Sequence, residues 1–137
     1  MPYTKVYATA GRTPEQKQAL MAAVHRGLVD GAGIPDWDKQ IRLFEFGPDN
    51  MLLPDSDDYA SYLLIEVTGY PRSLEVKRDL YASLVTQLET VGVDRKDTKI
   101  IYFDIQPDSW GVQGGRAGSD VAAEAAAGAD TGWSAKY

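Results

Sequence analysis

Residues 12–20, RTPEQKQAL, return as residues 72–80, RSLEVKRDL, with Arg, a hydroxyl residue, Glu, Lys and Leu at the same spacing. The match extends downstream. Residues 33–46, GIPDWDKQIRLFEF, align with residues 92–105, GVDRKDTKIIYFDI, so that Ile41, Phe44 and Glu45 correspond to Ile100, Phe103 and Asp104. Upstream, YTKVYAT and SYLLIEVT are both rich in β-branched and aromatic residues and read as strands. Each half is therefore strand, helix, strand, with units at residues 2–46 and 62–105.

The helices have recognisable starts. Thr13, Pro14 and Gln16 have the form of a capping box with proline at the first helical position. Ser73 with Glu75 opens the second helix, where an acidic residue suits the helix dipole. Leu20, Met21, Val24 and Leu28 form an apolar stripe that ends near Gly31 and Gly33, and Leu80, Tyr81, Leu84, Val85 and Leu88 form the second. A strand–helix–strand unit pairs its strands in parallel through a right-handed crossover. Two such units predict an α+β fold: a four-stranded mixed sheet with two helices on one face. The uncovered face would carry apolar positions, such as Val6 or Ile65 depending on register, which favours a homo-oligomer. A ferredoxin-like arrangement shares the element order and is the alternative, with antiparallel pairing instead.

Residues 1–118 read as one domain and residues 119–137 as an Ala/Gly-rich C-terminal tail draped over the surface or a neighbouring subunit. Within the tail, Ser119 and Asp120 are candidate caps for one short helix through Ala127. Residues 47–60 are turn-rich with room for a short hairpin, and residues 106–120 read as loop.

The 137 residues are 44% apolar and 25% charged, ordinary for a globular domain that buries a core. No apolar run reaches the ~20 residues of a membrane span, and the N-terminus lacks a signal-peptide layout. With no cysteine and one histidine, disulfides, thiol nucleophiles and histidine-rich metal sites are excluded. These features are those of a cytoplasmic protein without cofactors. A net charge of −6 opposes non-specific nucleic-acid binding, although local arginines can hold a small anion.

Pro2 begins the first strand, a position where its missing N–H costs little. Loss of Met1 would turn it into a free secondary amine, able to act as base, acid or carbonyl-condensing nucleophile. Arg72 falls between a strand and a helix start, a favourable place for a carboxylate or for an ion pair with Glu75. Asp38 can orient Pro2 or a water, or cap its turn. Tyr102 lies mid-strand and can donate to a carbonyl or pack. His25 shares a helix face with Met21 and Leu28, which suits a satisfied core-edge histidine. Trp110 can wall a pocket or anchor its own loop. Asp55, Asp57 and Asp58 lack the spacing of a calcium loop, and GVQGGRAG lacks the strand–helix context of a nucleotide loop.

Pro2 at the head of a doubled β-α-β unit resembles the tautomerase superfamily, whose members use an N-terminal proline in trimers or hexamers. The resemblance covers roughly residues 2–118. GRTPEQKQALMAAVHRGL, GIPDWDKQI, YPRSLEVK and PDSWG resemble the malonate semialdehyde decarboxylase group. It implies Asp38 as the acidic residue, Arg72 as one of two arginines and Trp110 as part of an apolar wall, with Tyr70 in place of the second arginine. VHRGL, YPRS and IIYFDIQPDSWGVQGGR resemble cis-3-chloroacrylic acid dehalogenases. There His25, Arg72 and Tyr102 match functional positions, the second arginine falls near Gly69, and Gln113 replaces the water-activating glutamate. The resemblance thus implies a homotrimer acting without cofactor on a small oxo-carboxylate. Pro2, Asp38, Arg72 and Tyr102 would be catalytic, with His25, Tyr70, Trp110 and Gln113 lining the substrate. Decarboxylation comes first, keto–enol tautomerisation next and dehalogenation third, and a non-catalytic oligomeric module is the alternative of a different class.

Overall fold

The computed structural model describes residues 2–131. Met1, whose removal would free the Pro2 nitrogen, and residues 132–137 of the tail lie outside the described residues. The repeat folds as β1 (Tyr3–Thr9), α1 (Pro14–Ala32) and β2 (Ile41–Phe46), then β3 (Leu63–Gly69), α2 (Leu74–Glu89) and β4 (Thr98–Asp104). The capping signals act as expected. Thr13 Oγ1 accepts from the Gln16 amide at 3.2 Å, while Gln16 Oε1 accepts from the Thr13 amide at 2.9 Å. At the far end Gly33 takes φ 67°, a left-handed cap that only glycine enters at low cost. Ser73 Oγ caps α2 by accepting from the Val76 amide at 3.2 Å.

The sheet order is β2-β1-β3-β4. Within each unit the strands are parallel, with Val6 opposite Leu43 and Ile65 opposite Ile100. The two units join through antiparallel β1 and β3, where Tyr3 stands opposite Thr68 and Val6 opposite Ile65. Parallel pairing inside each unit removes the ferredoxin-like alternative. Leu20, Val24, Leu28, Leu80, Leu84 and Leu88 pack over Val6, Ala8, Leu63, Ile65 and Val67 as one core, so both helices cover the same face. No helix among the described residues is long and apolar enough to cross a membrane.

The register corrects which residues the open face carries. Val6 and Ile65 are fully buried beneath the helices, because they alternate with the outward positions of their strands. Tyr3, Phe44, Ile101 and Phe103 lie on the other face and are each 37–43% exposed. Tyr7 stacks on Phe44 there, with ring centroids 5.3 Å apart.

Two connections also differ from expectation. Between Phe46 and Leu63 the chain makes a single 3-10 turn (Pro48–Asn50) and no strand. The hairpin instead lies in the segment read as loop: β5 (Gly111–Val112) pairs with β6 (Arg116–Ala117). Its turn takes positive φ at Gln113, Gly114 and Gly115 in succession, which the glycine pair permits. The final helix, α3 (Gly118–Ala126), starts on Ala117 without a side-chain cap, so neither Ser119 nor Asp120 serves as the cap. A Cβ at position 118 would stand 2.6 Å from the Pro107 carbonyl oxygen, so the close approach of α3 requires glycine there.

The helices meet almost backbone to backbone. A Cβ on Gly27 would lie 2.8 Å from Leu84 Cα, and one on Gly31 would lie 2.7 Å from Leu80 Cα, which sets α1 and α2 antiparallel. Alanine is the better helix former by ~1 kcal/mol. The displaced atom here is main chain, so overpacking outweighs that gain. Gly27→Ala is expected to destabilise the fold by ~1–3 kcal/mol, read as a lower urea midpoint at unchanged m-value.

Candidate active site

Antiparallel pairing of β1 with β3 places the N-terminal end of one strand beside the C-terminal end of the other. Pro2 is buried there, against Gly69. A Cβ added at Gly69 would sit 3.4 Å from Pro2 Cβ and 2.6 Å from the Tyr102 hydroxyl. The missing side chain at position 69 is what lets the proline ring and the phenol approach the same point. In the repeat frame this position corresponds to Thr9, so the space exists only in the second half.

Tyr102 projects from β4 on the helix-covered face. Its hydroxyl donates to the Tyr70 carbonyl at 2.8 Å. Burial raises its pKa, and the charge and hydrogen bond of Arg72 pull part of that rise back. The single phenolic proton is therefore committed to Tyr70, and the oxygen faces Arg72 as an acceptor. To donate to a substrate carbonyl, Tyr102 must first release Tyr70.

Arg72 is held by its backbone as well. Its amide donates to Asp104 Oδ1 at 3.2 Å, and Lys77 Nζ is paired with Asp104 Oδ2. Lys77 Nζ also lies 5.2 Å from the centroid of the Tyr102 ring. The lysine hydrogen bond, followed by the Arg72 amide and the lysine charge, holds the Asp104 carboxyl below its usual value against the opposing effect of burial. The alternative ion pair of Arg72 with Glu75 is not formed among the described residues, and the Arg72 charge acts on Tyr102. Lys77 and Asp104 went unassigned in the sequence reading. Their signal was present, since Lys17 and Glu45 stand at the repeat-equivalent positions and pair at 2.6 Å.

Three aromatic rings cluster at the start of β1. Trp110 stacks on Tyr3 with centroids 5.6 Å apart and planes 11° apart, and Tyr70 tilts against it with centroids 5.5 Å apart. The indole Nε1 donates to the Ile105 carbonyl at 3.3 Å, which fixes the ring. Tyr70 is buried, and burial pushes its phenol up to about 12. It is thus a neutral wall residue and no electrostatic substitute for an arginine.

Asp38 is buried at 5% exposure and accepts from Gln40 Nε2 at 3.0 Å. The Gln40 carbonyl in turn accepts from the Thr4 amide at 3.0 Å, so the Asp38 turn abuts the start of β1, two residues beyond Pro2.

Two expected residues belong elsewhere. His25 Nε2 is 2.9 Å from the Asp36 carbonyl and 3.1 Å from Asp36 Oδ1. Both are acceptors, so the ring donates from Nε2 and ties α1 to the loop that carries Asp38. Its polar contacts among the described residues are with Asp36 rather than with Pro2 or Arg72. Gln113 sits exposed at the hairpin tip, and its Nε2 donates to the Thr131 carbonyl. No group of three or more His, Cys, Asp or Glu gathers to hold a metal among the described residues.

Two family models, both described as "Tautomerase enzyme", match residues 38–113 and residues 2–56. No curated protein matches the chain. Among solved structures, a malonate semialdehyde decarboxylase described with decarboxylase and hydratase activities is 28% identical. The match covers 83% of this chain and 92% of that one, with a TM-score of 0.76. Another malonate semialdehyde decarboxylase, inhibited by 3-bromopropiolate, is 26% identical over 89% of this chain and 96% of that one, at TM-score 0.75. A fused 4-OT described as an asymmetric trimer is 25% identical over 88% and 98% of the two chains, at TM-score 0.79.

The Asp104 ion pair gives the site a pH signature. A carboxyl whose native pKa is depressed stabilises the fold above its ordinary value of 3.8, and that contribution disappears as pH falls through the lower native value. Asp104 is partly exposed, so solvent screening keeps the effect to ~0.5 kcal/mol. Asp104→Asn is expected to be less stable than wild type by about that amount at neutral pH. The two should converge below the depressed value in chemical denaturation followed against pH.

Proposed function

Because the chain belongs to the tautomerase enzyme family, we propose that it is a cofactor-independent enzyme using the terminal amine of Pro2 on a small oxo-carboxylate, most closely a malonate semialdehyde decarboxylase. What supports this reading is the approach of Pro2 and the Tyr102 hydroxyl to one point at Gly69, with the charge of Arg72 acting on that phenol.

In the proposed reaction the Arg72 fork holds the substrate carboxylate. Protonated Pro2 polarises the neighbouring carbonyl, or condenses with it. The bond from C2 to the carboxyl carbon breaks, its electron pair moves toward the carbonyl (or iminium) as an enol (or enamine), and carbon dioxide leaves. A proton returned to C2 completes the aldehyde, after hydrolysis if the amine has condensed. Trp110 and Tyr70 wall this space with apolar surface, which weakens solvation of the departing carboxylate. In this reading Asp38, buried in the turn that abuts the start of β1, biases the protonation of Pro2.

Keto–enol tautomerisation is the second reading, because it requires only a neutral Pro2 as base and Arg72 as anchor. The commitment of the Tyr102 proton to Tyr70 favours a reaction with so few participants. Hydrolytic dehalogenation ranks third: Gln113 accepts no proton from water, and its amide is engaged with Thr131.

Homotrimeric assembly is part of the proposal. The aromatic open face of the sheet supports it, as do fused 4-OT structures described as symmetric and asymmetric trimers. Size-exclusion chromatography with light scattering is expected to give three times the 15.0 kDa chain mass, and Phe44→Glu is expected to shift the species toward monomer.

The activity test incubates purified protein with malonate semialdehyde and with the enol of phenylpyruvate. Pro2→Ala is expected to lose ~10²–10⁴-fold in kcat/KM on whichever substrate turns over. Equal rates for wild type and variant on both would remove the enzymatic reading. So would an intact mass showing Met1 retained in the main species, which would favour a non-catalytic module.

A further inference from the structure

The repeat has an arginine for each half, and only Arg72 is used by the site above. Its counterpart Arg12 lines a separate cavity of about 550 Å³, together with Gln16, Leu20, Tyr59, Val91 and Val93. This volume lies within the range of small-molecule sites, and the half-open lining mixes polar and apolar surface in about equal measure.

The walls are pinned in place. The Tyr59 hydroxyl donates to the Phe46 carbonyl at 2.8 Å. Val93 donates to the Leu88 carbonyl at 3.1 Å, while Gly92 turns the chain at φ 85°. The cavity is therefore formed before any ligand arrives.

Its charge is uncompensated. Arg12 Nη1 donates to the Thr9 carbonyl at 3.2 Å, and among the described residues the guanidinium forms no ion pair. In the second half the Arg72 charge acts on Tyr102, whereas the residue equivalent to that phenol here is Leu43. Gln16 has its Oε1 engaged by Thr13, which leaves its Nε2 as a further donor on the cavity wall.

We propose that this cavity is a second carboxylate-binding site, one that takes an acid with a compact apolar body and performs no chemistry on it. Arg12 and Gln16 would hold the carboxylate, and Leu20, Tyr59, Val91 and Val93 would cover the apolar portion. The absence of chemistry follows from the repeat. Tyr62 occupies the position equivalent to Pro2, but its nitrogen is an internal amide and offers no basic lone pair. The inference stands on Arg12 and its cavity and is independent of what happens at Pro2.

The test is a titration of ¹⁵N-labelled protein with phenylacetate, followed by amide chemical shifts. Shifts at Gly11, Ala19, Gly92 and Val93 are expected to saturate in wild type and equally in Arg72→Ala, which disables only the other site. Arg12→Ala should weaken that binding about tenfold or more, the loss of a charge-assisted hydrogen-bonding group. Ala19→Leu, at an exposed helical position, fills the cavity while keeping Arg12 and should abolish the same shifts. Saturation unaffected by Ala19→Leu or by a folded Arg12→Ala would overturn the proposal. Shifts confined to the surroundings of Gly69 and Arg72 would do so as well. Loss of Pro2-dependent turnover alone would leave these expected shifts intact, so the two readings fail separately.

Discussion

The antiparallel pairing of β1 with β3 is the constraint on which the rest of this structure depends. Each β-α-β unit is parallel within itself and leaves the second edge of its first strand open for pairing. Joining those edges head to tail completes the sheet, and it sets Tyr3 opposite Thr68. One consequence is structural: α1 and α2 must run antiparallel over the same face, close enough that Gly27 and Gly31 tolerate no side chain. Another is chemical. The first residues of β1 arrive at the last residues of β3, so Pro2 meets Gly69 and the β4 phenol beyond it.

Duplication followed by local change accounts for the difference between the two ends of the sheet. A lysine from the helix pairs with an acid at the end of the following strand in both halves: Lys17 with Glu45, and Lys77 with Asp104. Three substitutions then separate them. Gly69 stands where the first half has Thr9, Tyr102 where it has Leu43, and Asp104 where it has Glu45. The shorter acid caps the Arg72 amide, the phenol takes its guanidinium, and the glycine opens the space between. At the other end Arg12 turns back to the Thr9 carbonyl and lines a separate cavity.

Much of this architecture is legible from local signals. Caps at Thr13 and Ser73 and leucines at helical spacing define the helices, because both rest on interactions within a few residues. The outward face of each strand is harder to read, because shifting the register by one residue exchanges the two faces. Thus Val6 and Ile65 proved to be core, while Tyr3, Phe44, Ile101 and Phe103 line the open face. The β5–β6 hairpin escaped notice because two-residue strands carry no periodicity; only its glycine pair hinted at a turn. His25 and Gln113 entered as candidates by motif, yet their side chains serve Asp36 and Thr131.

The amino-acid order alone established the doubled β-α-β plan, the starts of the two long helices and the arginine repeated in each half, because these follow from short-range spacing and from similarity within the chain. It also singled out Pro2, since only a residue next to the terminus can become a secondary amine. The tertiary structure decided what surrounds that residue. Whether a proline meets a glycine, a phenol and an arginine depends on strand order and register, which bring together residues 2, 69, 72 and 102. The direction of the Tyr102 proton was likewise a tertiary matter, because its acceptor, the Tyr70 carbonyl, comes from the turn after a different strand. Long-range pairing selects among arrangements that local sequence leaves equivalent.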